Sequence, residues 1–152
     1  MGVEDKLREL GLTLPQPPPA VANYVGAVKV GNLLFVSGHG PVRDGKMASR
    51  GKVGKDLTLE QGYEAAELVA LNCLASAKAA IGSLDRVKRV VKLLGMVNSA
   101  EGFVDQPKVI NGASDLLVKI FGDAGRHARS AVGLYELPFG IPVEIELILE
   151  VE

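Results

Sequence analysis

The sequence predicts an α+β fold: a sandwich in which two helices pack on one face of a largely antiparallel or mixed sheet. Three observations carry it. Two short apolar runs flank a Gly31-Asn32 turn, a β-branched run at 86–97 separates two helical patterns, and the chain ends on two strand-like segments. Helices set singly among paired strands segregate to one side of a sheet.

The elements follow in order. Residues 3–10 form a short helix with Val3, Leu7 and Leu10 on one face and Gly11 as its stop. Pro15, Pro17, Pro18 and Pro19 then keep the chain extended, because proline fixes φ and lacks a donor. Residues 1–20 are thus read as an arm, and 21–152 as a single domain. Ala27-Val28-Lys29-Val30 and Leu33-Leu34-Phe35-Val36-Ser37 around Gly31-Asn32 make a hairpin. Residues 38–57 are rich in Gly, Lys and Arg and read as a loop with room for a short strand.

Thr58 opens a helix, with Gln61 placed three residues on as in a capping box. Leu59, Tyr63, Ala66, Ala70, Cys73, Ala77 and Ala80 give it one apolar stripe, and Gly82 ends it. So many alanines predict a close approach to a neighbour. Pro107 suits the first turn of the second helix, whose stripe is Val109, Ala113, Leu116, Leu117, Ile120 and Phe121. Residues 128–136 form a strand, 137–142 turn, and Val143-Glu144-Ile145-Glu146-Leu147 alternates with the period of a half-buried strand.

Composition narrows the function. Lys plus Arg number 17 against 18 Asp plus Glu, so the basic excess of a nucleic-acid binder is missing. No apolar run reaches the roughly 18 residues of a membrane helix, and the N-terminus has no apolar signal core, so a cytoplasmic protein is expected. A lone Cys73 excludes an internal disulfide framework, and two histidines, His39 and His127, without ligand spacing make no metal site. Cys73, on the helix stripe, reads as core. His39, in a loop, reads as a surface or pocket-rim residue rather than a base.

Arg129 is the residue with chemistry to explain. It stands in a strand between Ala128 and Ser130-Ala131-Val132, where a permanent cation needs an anion. It is either a structural ion pair or a fork for a substrate carboxylate. Glu144 lies on the polar face of the last strand with Glu146. If the last two strands form a tight hairpin about Phe139-Gly140, Glu144 sits opposite about Tyr135 and Arg129 opposite about Glu150. A site shared by Arg129 and Glu144 then needs a bend or a second subunit. Ser37-Gly38 at the end of a strand offers close backbone approach, and Asn111-Gly112 early in a helix suggests a close contact or a polar role.

Taken together these residues resemble the RidA/YjgF family, also known as reactive imine and enamine deaminases. The resemblance runs from Tyr24 to Glu150. It rests on Ala128-Arg129-Ser130-Ala131-Val132, Leu137-Pro138 and Val143-Glu144-Ile145-Glu146, with Tyr24, Gly31-Asn32 and Phe35-Val36-Ser37-Gly38 in the first half. It implies a chorismate-mutase-like sandwich and a homotrimer with sites between subunits. It implies that Arg129 binds the carboxylate of a 2-imino acid and that Glu144 helps position or activate the attacking water. Tyr24, Ser37, Asn111 and the backbone at Gly38 and Ala131 would line the pocket, with no metal or organic cofactor. His39 stands where common members carry Gln, and Asn111-Gly112-Ala113-Ser114-Asp115 lacks their aromatic-rich pattern. The expected function is hydrolysis of 2-imino acids to 2-oxo acids and ammonia. The alternatives are a regulatory trimer that binds 2-oxo acids without turnover, and an endoribonuclease or translation inhibitor.

Overall fold

The computed structural model describes residues 2–20 and 22–152. Helix α1 (Val3–Glu9) precedes the hairpin β1 (Ala27–Val30) and β2 (Leu33–His39). A two-residue ladder, β3 (Val42–Arg43) and β4 (Lys46–Met47), lies in the following loop. Then come α2 (Leu59–Ile81), β5 (Val87–Asn98), α3 (Gln106–Phe121), β6 (Ala128–Leu134) and β7 (Val143–Val151). The main sheet has five strands in the order β1-β2-β7-β5-β6. Its pairs are antiparallel except β5–β6, which is parallel.

Local chemistry explains the element ends. Thr58 Oγ1 accepts from the Gln61 N–H at 3.1 Å while Gln61 Oε1 accepts from the Thr58 N–H at 2.9 Å, the reciprocal cap foreseen for α2. Gly31 takes φ 60°, the left-handed conformation that the tight β1–β2 turn requires. Both long helices cover one face of the sheet. Along β7 the odd-numbered residues Val143 to Val151 are buried beneath them, and Glu144, Glu146 and Ile148 face the other way. Leu34, Val36, Leu93, Val97 and Ile110 join them in the core.

The helices approach as closely as the alanines predict. A Cβ on Gly112 of α3 would overlap the backbone carbonyl of Tyr63 in α2, so only glycine fits there. Cys73 is fully buried and its thiol donates to the Ile145 carbonyl at 3.4 Å. Burial pushes the Cys73 thiol far above its ordinary value, with Glu144 and Glu146 adding to the rise.

Several expectations are corrected. The last two strands do not pair with each other: β5 lies between β6 and β7, so Arg129 is aligned with Leu93, and Glu144 with Met96. The expected pairings of Glu144 with Tyr135 and of Arg129 with Glu150 are therefore absent. His39 is no rim residue. It ends β2, is buried, donates from Nδ1 to the Ser37 carbonyl (2.5 Å) and accepts the Ser76 hydroxyl at Nε2 (2.7 Å). On α2, Ala80 is exposed and Tyr63 only half-buried. The stripe shifts because α2 rides over β2 and β7 as well as α3.

The arm is docked rather than loose. Leu7 is buried, and Glu4 accepts from Lys78 Nζ at 2.7 Å and from the Leu84 N–H at 2.8 Å. The boundary read between residues 20 and 21 touches residue 21, which lies outside the described residues. No helix among the described residues is long and apolar enough to cross a membrane.

Candidate functional site

The residues singled out in the sequence fall into two groups. The first belongs to β6 and α3. Leu93, the register partner of Arg129, is fully buried under the helices, so Arg129 too is on the helix side, at the free edge of the sheet. Its Nη1 donates to Asn111 Oδ1 at 2.8 Å and to Ser114 Oγ at 3.2 Å. Ser114 and Asn111 stand three residues apart on α3 and so share a face. Ser114 Oγ in turn meets His127 Nε2 at 2.9 Å, and His127 Nδ1 meets the Gly125 carbonyl at 2.6 Å. Burial first, and then the Arg129 charge, holds His127 below its ordinary value against the opposing Gly125 hydrogen bond. Ala131 follows Arg129 on the same side, beside Gly95, and packs against the core.

The second group belongs to β2 and β7 and lies on the sheet face that no helix covers. β2 bulges between Val36 and His39, so Ser37 and Gly38 together span the place of one residue against β7. Glu144 fills the space that the missing side chain leaves: a Cβ on Gly38 would overlap its carboxylate. Burial, and secondarily the charge of Glu146, raises the Glu144 carboxyl above its ordinary value. Ser37 Oγ donates to the Val25 carbonyl at 2.6 Å, and the Ser37 N–H donates to the Gly26 carbonyl at 2.9 Å. These bonds hold the segment carrying Tyr24, a residue that is 50% exposed.

Arg129, Asn111 and Ala131 are thus brought together, and so are Ser37, Gly38 and Glu144, with Tyr24 leading into the second group. The sheet itself separates the two groups within one chain. Among the described residues no carboxylate lies within 4 Å of Arg129, so the expected choice between ion pair and fork is left without an internal anion. Ser114 and His127 were not assigned to a site from the sequence. Nothing local marks them, because the contact joins helix α3 to the start of β6 across the parallel β5–β6 crossover. Among the described residues no group of three His, Cys, Asp or Glu is placed to hold a metal ion.

The uncovered face carries a shallow trough of about 680 Å³, with Val28, Phe35, Leu94 and Ile148 as its apolar lining and Ser37, Lys92, Ser130 and Glu146 as polar groups. Val28 and Phe35 are 50% and 42% exposed there.

Comparison with known proteins gives consistent matches. Residues 4–143 match the family model described as "YjgF/chorismate mutase-like, putative endoribonuclease". The Trypanosoma cruzi protein TCP17 is 46% identical over 149 residues, which is 97% of this chain and 93% of that one. The crystal structure of Atu1372 from Agrobacterium tumefaciens, a protein of unknown function, is 49% identical with a TM-score of 0.91, covering 99% of this chain and 93% of that one. A Shewanella oneidensis crystal structure bearing the endoribonuclease label is 37% identical with a TM-score of 0.96, covering 99% of this chain and 100% of that one.

Proposed function

The chain belongs to the YjgF/chorismate mutase-like family, and from its site we propose that it hydrolyses reactive 2-imino acids and their enamine tautomers to 2-oxo acids and ammonia. One observation supports this most: a half-buried guanidinium held by Asn111 and Ser114, with no carboxylate of its own among the described residues. Such a group is preorganised for an anion, and a carboxylate fits its planar donors bidentately.

The chemistry asks little more. The imine carbon is already electrophilic, so fixing the carboxylate supplies proximity and orientation. Water adds to that carbon and loses a proton while the nitrogen gains one. The resulting carbinolamine expels ammonia and leaves the 2-oxo acid. Glu144 is the group we assign to these transfers, since a carboxyl with a raised pKa can both take and return a proton nearer neutral pH. Ser37 and the Gly38 backbone position the water.

Arg129 and Glu144 lie on opposite sides of one sheet, so the proposed site is composite. The Arg129 edge of one subunit meets the uncovered face of its neighbour in a homotrimer. The apolar trough on that face supports this, because a sheet with two apolar faces needs both covered. The endoribonuclease label of some relatives is the weaker reading for this chain: a net charge of -1 gives no electrostatic basis for gripping phosphates.

The test is paired turnover and melting on Arg129 variants. Arg129→Ala should lower kcat/KM by roughly a hundredfold or more while melting stays near wild type. Arg129→Lys should fail similarly, because an ammonium keeps the charge but loses the fork. Wild-type turnover in both variants would remove the support for the proposal.

A further inference from the structure

We infer that Ser114 and His127 are positioning residues for Arg129, and that they direct the substrate carboxylate onto the Nε/Nη2 edge of its guanidinium. This rests on the deaminase reading and adds how the anion is gripped.

The argument follows the direction of each hydrogen bond. The Gly125 carbonyl can only accept, so the hydrogen of a neutral His127 sits on Nδ1, 2.6 Å away. Nε2 is then bare and accepts the Ser114 hydroxyl at 2.9 Å. With its proton committed, Ser114 Oγ turns its lone pairs to Arg129 and accepts from Nη1 at 3.2 Å. Asn111 Oδ1 accepts from the same Nη1 at 2.8 Å. The relay therefore runs one way, from guanidinium to hydroxyl to imidazole to backbone. Burial favours the neutral imidazole that this direction needs.

The consequence is geometric. A guanidinium has five N–H donors, two of them on Nη1. Nη1 meets two acceptors here, Asn111 and Ser114, as many as it has hydrogens. An end-on grip needs one Nη1 and one Nη2 hydrogen, so it would break a bond already made. The side-on pair, Nε–H and the parallel Nη2–H, needs neither Nη1 hydrogen. A carboxylate taken side-on keeps the full relay intact and fixes the plane in which the imine carbon is presented.

The test combines two readouts. Guanidinium-detected ¹⁵N NMR on the free protein follows rotation of the Arg129 Nη groups, and kinetics with 2-iminobutyrate, beside a 2-oxobutyrate titration, follows the site. In wild type the Nη1 and Nη2 signals should be resolved. Ser114→Ala should release the rotation, weaken 2-oxobutyrate binding and raise KM about tenfold, the size expected for losing one hydrogen bond to a charged group. Its kcat should change less than about twofold, because the lost contact serves binding rather than the transition state alone. Ser114→Thr, which keeps the hydroxyl, should restore both readouts, and His127→Phe should move them in the same direction as Ser114→Ala. Unchanged rotation and KM in Ser114→Ala, with wild type active, overturns this inference and leaves the deaminase reading standing. Restrained Arg129 released by Ser114→Ala in a wild type without turnover supports the positioning role and overturns the deaminase reading instead.

Discussion

At the scale of the residue, Glu144 is the most sensitive probe. Its carboxyl is raised by burial and by Glu146, so the folded chain holds this proton more tightly than the unfolded chain does. The sign follows. Glu144 costs no stability below its unfolded pKa, and a penalty grows as pH rises through its folded pKa. Glu144→Gln should therefore melt higher than wild type at pH 7 and match it near pH 4, about the unfolded value for Glu. The same variant should lose turnover at both. Melting scans across pH check the first claim and kinetics the second; a variant less stable at pH 7 would mean that the carboxylate is held by an unseen donor. Arg129 was legible in the sequence because a guanidinium among small apolar residues demands a partner. Its contacts were not: Asn111 and Ser114 lie 18 and 15 residues away, with His127 behind Ser114, and only the fold decides which of many such neighbours touch.

At the scale of the element, the α2–α3 contact fixes where Asn111 and Ser114 stand. Gly112→Ala gains roughly 1 kcal/mol of helix propensity. It also drives a methyl into the Tyr63 backbone carbonyl, which no side-chain rotamer can relieve. Overpacking of about 3 kcal/mol should win, for a net loss near 2 kcal/mol and a fall in melting temperature of about 4–8 °C. A rise in melting temperature would show that the two helices can part without cost. Periodicity gave both helices, the capping box and the β1–β2 hairpin, because each is specified by neighbours within a few residues. It misled on the last two strands. The Leu137–Pro142 turn reverses the chain, yet β7 passes β6 and pairs with β5 and β2 instead. The connection is long enough for either outcome. Apolar demand decides: β7, with five buried residues, takes the middle of the sheet, and β6, with none, takes the edge. That choice puts Arg129 at a boundary where another subunit can reach it.

At the scale of the whole molecule, the question is whether Arg129 and Glu144 act in one subunit or across two. The sheet keeps them on opposite sides within a chain, and the apolar trough offers the surface over which copies would meet. A trimer in solution, by sedimentation, is the first requirement, and Phe35→Glu should dissociate it by placing a charge in the trough. Subunit mixing is the sharper measurement. Arg129→Ala and Glu144→Gln are each expected to be inactive as homotrimers. In a closed ring each site takes Arg129 from one subunit and Glu144 from the next. A site is intact only when a Glu144→Gln subunit supplies the arginine and an Arg129→Ala subunit supplies the glutamate. Random exchange at equal concentrations makes that ordered pair at about one quarter of the interfaces, so mixing should restore about a quarter of wild-type turnover. If both residues served the same site from one subunit, every site would lack one of them and mixing would restore nothing. Exchange can be confirmed independently by mass, so a silent mixture of true heterotrimers would refute the composite site, while recovery near a quarter would require it.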